Sequence, residues 1–139
     1  MQIASLDLCK DLYELSGWID TYLTYHLDVR SNEWCEPVHS EVFEHVLISL
    51  AEGKSTYKKD RVRPAYDLGY LLQKLPYGGF CLQRHPDPDG GWQAYLQDNL
   101  HRRIADVYAD TPEDAACKLA IELFRHGVLV KQEEEKTSE

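Results

Sequence analysis

The sequence has no run approaching the roughly 20 consecutive apolar residues that a membrane-crossing helix needs, so no membrane association is expected. It also lacks any C-x-x-C, because Cys9, Cys35, Cys81 and Cys117 are spread widely. The N-terminal MQIASLDLCKDLYELSGW has no cationic segment followed by an apolar one, so free thiols and a cytoplasmic location are expected. G-x-x-x-x-G-K-S/T, G-x-G-x-x-G and G-x-S-x-G are all missing, which removes the common phosphate cradles, dinucleotide sites and hydrolase elbows. No cofactor is implied. An enzyme is the third of three readings, resting only on scattered His, Cys and carboxylates.

Basic residues are in deficit, with 15 Lys and Arg against 24 Asp and Glu and a formal charge of -9. Such a chain repels phosphate backbones and anionic lipid surfaces, so direct nucleic-acid binding is disfavoured. The same charge suits a basic partner surface and is also an ordinary route to solubility.

What is present is the composition of a packed globule: 139 residues, 43% hydrophobic and 11% aromatic, with three Trp and nine Tyr. That length fits one domain, expected over residues 1–130 and followed by a charged, disordered tail over 131–139. Ser5 is placed to cap a helix with Leu8, Leu12 and Leu15 on one face and Ser16-Gly17 as its stop. Alternation over residues 22–29 predicts a strand. Val42, Phe43, Val46, Leu47 and Leu50 predict a second helix between Ser40 and Gly53.

Pro64 suits the first turn of a third helix, whose face is Leu68, Leu71, Leu72 and Leu75 and whose end is Pro76. Phe80 and Leu82, then Trp92, Ala94 and Leu96, alternate on either side of the turn-rich Pro86-Asp87-Pro88-Asp89-Gly90-Gly91, the pattern of a hairpin. Ala105, Val107 and Ala109 add a third strand. Thr111-Pro112-Glu113-Asp114 opens a last helix with Ala116, Ala120, Ile121 and Phe124 inward and Gly127 as its stop. The expected fold is α+β: a small antiparallel β-sheet with helices packed on its faces, an α-β-β-β-α C-terminal unit plus N-terminal helices.

Three segments carry a further likeness: PAYDLGYLLQKLP at 64–76, GGWQAYL at 90–96 and ADTPEDAACKLAIELF at 109–124. Over residues 63–129 the chain resembles the phage ABA-sandwich domain, found in small phage and prophage proteins, in which a sheet lies between helices. The resemblance implies a compact accessory protein of a family whose role is uncharacterised, and it carries over no catalytic residue. Residues 1–60 depart from the family's common pattern.

Candidate sites follow from residue type. Trp18, Tyr22, Tyr25 and Trp34 crowd a region with little helical pattern, where core and interface roles both stand. Lys58, Lys59 and Arg61 lie in KSTYKKDRVR, the one concentrated basic patch, which reads as a solvated linker or as a loop for an anion such as a nucleotide. His39, Glu41 and His45 are weak metal candidates: Glu41 and His45 share a face at i, i+4, but two ligands make no site. Cys81 and His85 share a strand face about 13 Å apart, too far for proton transfer. Cys117 reads as a small buried hydrophobe. The first reading is therefore a non-enzymatic protein acting on a host or phage protein. The second is an anion-binding protein. A homodimer remains open, because a short sheet leaves an edge to pair.

Overall fold

The last helix forms where its sequence signal is most explicit. In α4 (Pro112–Arg125), Thr111 stands at the N-cap in extended conformation and its hydroxyl accepts from the Asp114 N–H at 3.2 Å, with Pro112 opening the helix. Ala115, Ala116, Leu119, Ala120 and Leu123 are withdrawn from solvent. The small residues among them let the helix lie close on a sheet.

That sheet is β4 (Phe80–Arg84), β5 (Trp92–Gln97) and β6 (Arg103–Ala109), antiparallel in the order β4-β5-β6. Ala94, Leu96 and Ala105 are buried in one cluster with the α4 residues, and Phe80, Leu82, Trp92 and Val107 pack at its margin. Gly79 leads into β4 at a φ of 84°, and a Cβ there would lie 2.2 Å from the carbonyl oxygen of Gln97. Only glycine fits so close a crossing.

The structure, a computed structural model, describes residues 3–21, 23–28, 31, 33–38, 43–53, 62–76, 78–84 and 91–131. The turn expected at 86–90 and the tail from 132 lie outside these. Preceding the second sheet are α1 (Leu6–Ser16), β1 (Leu23–Asp28), β2 (Glu33–Val38), α2 (Phe43–Ala51), β3 (Val62–Ala65) and α3 (Leu68–Lys74). The α+β class with helices packed on antiparallel sheets therefore holds, as do the hairpin, its third strand, and all the predicted helices.

Three expectations are corrected. Where one sheet was expected there are two, the first being antiparallel in the order β2-β1-β3. Val62 and Arg63, read as linker, and Pro64, read as a helix start, belong to β3, which pairs with β1 in the register Leu23↔Ala65 to His26↔Val62. A proline can sit here because β3 is an edge strand, where a missing N–H costs no ladder bond. Helix α3 starts later, with Asp67 as its cap accepting from the Tyr70 N–H at 2.8 Å. Ser5 does occupy the N-cap of α1, but its hydroxyl makes no capping bond. Its backbone N–H instead donates to Asp114 Oδ1 at 2.7 Å, tying α1 to the start of α4.

Two apolar clusters result. The larger joins α4 and the second sheet with Ala4, Cys9, Leu12, Tyr66, Leu71 and Leu75. The smaller holds Phe43, Val46 and Val62, with Ile19, Leu47 and Leu50 against it. Tyr13 packs on both and meets the Phe43 ring edge-on at 5.6 Å.

Candidate functional site

Helix α2 is apolar around most of its circumference, FEHVLISLA. A helix of that kind is expected to be enclosed, yet only Phe43 and Val46 are buried. Leu47, Leu50 and Ala51 instead line, with Tyr13 of α1, a cleft of about 400 Å³. Ile48 stands beside them 49% exposed. Exposed carboxylates lie on the same two helices: Asp7, Asp11 and Glu14 on α1 and Glu44 on α2. The floor of the cleft is apolar and able to take an apolar side chain from another molecule. The acidic side chains belong to the wider surface of the two helices, Asp11 facing α4 beside Lys118 and Glu122. The helical stripe of Phe43, Val46, Leu47 and Leu50 was legible in the sequence. Its incomplete cover was not, because Tyr13 is supplied from 30 or more positions away.

A second cluster surrounds the link from α1 to β1. The Trp18 ring meets Tyr66, Tyr70 and Phe124 edge-on at 6.4, 6.2 and 5.4 Å, and Tyr66 stacks on Tyr70 at 5.3 Å. Tyr66 OH donates to the Trp18 carbonyl at 2.8 Å. Lys74 Nζ lies 5.5 Å from the Trp18 ring centre, 5.3 Å from that of Tyr70 and 3.2 Å from Asp20 Oδ2, while Tyr70 OH donates to Asp20 Oδ1. Partial burial pushes the Asp20 carboxyl up, but the Tyr70 hydroxyl and the Lys74 ammonium outweigh it and hold the group below its ordinary value. Burial, then the hydrogen bond to Asp20, pushes the Tyr70 hydroxyl far up, so it stays a proton donor. Its partner Asp20 is 50 residues distant in sequence, and no local pattern announces the contact.

The predicted aromatic group is thus divided. Trp18 and Tyr25 pack against the larger cluster, and Tyr25 OH donates to the Ala4 carbonyl at 2.8 Å. Trp34, half-buried on β2, lies under Lys10 at 4.9 Å. Tyr22, Lys58, Lys59, Arg61, His39 and Glu41 lie outside the described residues. His45 is exposed on α2. Among the described residues no group of three or more His, Cys, Asp or Glu could hold a metal.

The buried thiols behave as the sequence suggests. Cys9 is pushed up to about 12 by burial, offset in part by the Tyr66 N–H, and Cys117 is pushed well up by burial. A thiol held neutral is a poor nucleophile. All four cysteines are free.

The face of the second sheet turned away from α4 is polar. Gln93 Nε2 donates to Asp106 Oδ1 at 3.0 Å and to Tyr108 OH at 3.2 Å, and Gln83 Nε2 donates to Gln93 Oε1 at 2.9 Å. Arg103 lies 3.8 Å from the Tyr95 ring centre and bonds Asp106 at 2.6 Å. These groups satisfy one another, so the face needs no helix over it.

No helix among the described residues is long and apolar enough to cross a membrane. Set against known protein families, curated proteins and solved structures, the chain matches none of them.

Proposed function

We propose that this chain is a non-enzymatic accessory protein of phage type that acts in the cytoplasm by binding another protein of the host or phage. The observation that carries the reading is the cleft between α1 and α2, where Tyr13, Leu47, Leu50 and Ala51 form an apolar floor with Ile48 exposed beside it. Exposed carboxylates on those helices and a chain charge of -9 favour a partner segment that offers an apolar side chain in basic surroundings. The likeness of residues 63–129 to the phage ABA-sandwich domain adds the biological setting.

The test compares affinity capture by the native chain, by Ile48→Asp and by Leu100→Asp, the last a charge added at an exposed site elsewhere. Ile48 is outside both buried clusters, so its substitution should leave the melting temperature unchanged. The expected result is a partner held by the native and Leu100→Asp chains and lost from Ile48→Asp. Equal retention by all three would remove the cleft from the argument.

A further inference from the structure

We infer that β4 is a self-pairing edge through which two copies of this chain join their second sheets into one continuous sheet. The inference goes beyond the partner-binding reading and uses a different part of the molecule.

Each sheet has two edges, and an edge left with open N–H and C=O groups templates a further strand unless something blocks it. At β6 the Lys118 ammonium donates to the edge carbonyl of Tyr108 at 3.0 Å. At β3 Pro64 has no N–H to offer, and just past the strand the Ala4 N–H donates to the Tyr66 carbonyl at 3.0 Å and Ile3 bridges Asp67, so the N-terminal segment closes off the end of that edge. At β2 Pro37 has no N–H to offer, and the pairing with β1 is irregular between Thr24 and His26. Strand β4, FCLQR, has no proline, no lysine and no bulge, and among the described residues no backbone hydrogen bond reaches it from outside its sheet.

Its outward groups can be identified. The Gln97 N–H donates to the Gly79 carbonyl at 3.0 Å, so Gly79 bonds inward to β5. Antiparallel bonding alternates, so Cys81 and Gln83 also bond inward while Phe80, Leu82 and Arg84 direct their backbone groups to the open edge. A two-fold axis at Leu82 sets Leu82 against Leu82 of the second copy and Phe80 against its Arg84. These are the outward-bonding residues, so every N–H on the edge meets a carbonyl.

The side chains agree with this register. Phe80 and Leu82 lie on the α4 side and are only partly buried. Pairing continues their apolar face across the axis and lays each Arg84 guanidinium beside a Phe80 ring, a favourable cation–aromatic contact. Arg84 supplies a positive charge at the junction of two chains that each carry -9. Helix α3 leads into this edge and carries Leu72, 42% exposed. Pairing brings both copies of α3 to the same side of the joined sheet.

The same register sets Cys81 opposite Gln83 of the second copy in a non-hydrogen-bonded pair. Cα atoms there are about 4.5 Å apart, within the roughly 4.4–6.8 Å that a disulfide spans. On a Cys35→Ser background, Gln83→Cys should give a reducible covalent dimer under mild oxidation, and adding Cys81→Ser should abolish it. Sedimentation equilibrium on the native chain should show a dimer across the micromolar range, and Arg84→Glu should weaken it at least about ten-fold. Circular dichroism and melting confirm that each variant folds. A native monomer, or cross-linking that ignores Cys81, overturns the inference. A monomer whose partner capture still depends on Ile48 overturns self-pairing alone.

Discussion

Around α4, Ala115, Ala116, Leu119, Ala120 and Leu123 are removed from water together with Ala94, Leu96 and Ala105 of the sheet beneath. Helix α2, by contrast, leans on Phe43, Val46 and Val62. Each fully buried aliphatic side chain contributes roughly 1.5–3 kcal/mol, so the first region is held by many such terms and the second by few. The lesson is a division of labour: one part sets the fold, and the other keeps apolar surface in reserve. Elements with few buried contacts are those that open locally and that binding can order.

The strongest test of this contrast removes one large side chain from each region. Leu119→Ala should cost about 3 kcal/mol of global stability, as a cavity in a well-packed core does. Phe43→Ala should cost less than about 2 kcal/mol globally, because release of α2 limits the loss, and amide exchange should accelerate in α2 alone. Equal losses with one cooperative transition would make the two regions a single packing unit.

Gly79→Ala probes how closely the stable region is built. Its Cβ would meet the Gln97 carbonyl oxygen at 2.2 Å in a backbone conformation unfavourable to alanine. A loss of about 2 kcal/mol or more is expected by chemical denaturation, with amide exchange rising along β4 and β5. Thr111→Ala removes one capping bond from α4 and should cost about 1 kcal/mol.

The smallest effect belongs to Asp20, which ties the link before β1 to α3 through Tyr70 and Lys74. Its folded pKa lies below the ordinary value of 3.8. The group therefore stabilises the fold above its unfolded pKa, and that contribution is lost as pH falls through the folded pKa. Its side chain is 60% exposed, so the effect should stay under about 1 kcal/mol. Asp20→Asn should flatten the acid limb of the stability profile below about pH 4, and an unchanged limb would show the contact to be energetically neutral.

The same contrast explains what could be read from the sequence. Helix α4, the hairpin and β6 were legible because cap, turn and alternation agree locally at Thr111, Pro112, Trp92, Ala94 and Leu96. Strand β3 was not, because VRPA carries no alternation and Pro64 mimics a helix start. Its conformation is set by pairing with β1, a contact between distant segments. Strand β2, EWCEPV, has the same problem. The cleft was half legible: α2 showed its apolar residues, but only the fold reveals which of them go uncovered. Asp20, Tyr70 and Lys74 gave no signal.

Tyr13 belongs to both clusters and also forms one wall of the cleft. An occupant of the cleft therefore presses on a ring whose other contacts are part of the scaffold. Occupancy would be felt beyond α2, along α1 and into the seam with α4, so thermal stability of the whole chain can serve as a binding assay. The ring acts as a mechanical pin between a loose part and a rigid one, and the size of the side chain at position 13 sets how much of a binding event reaches the core.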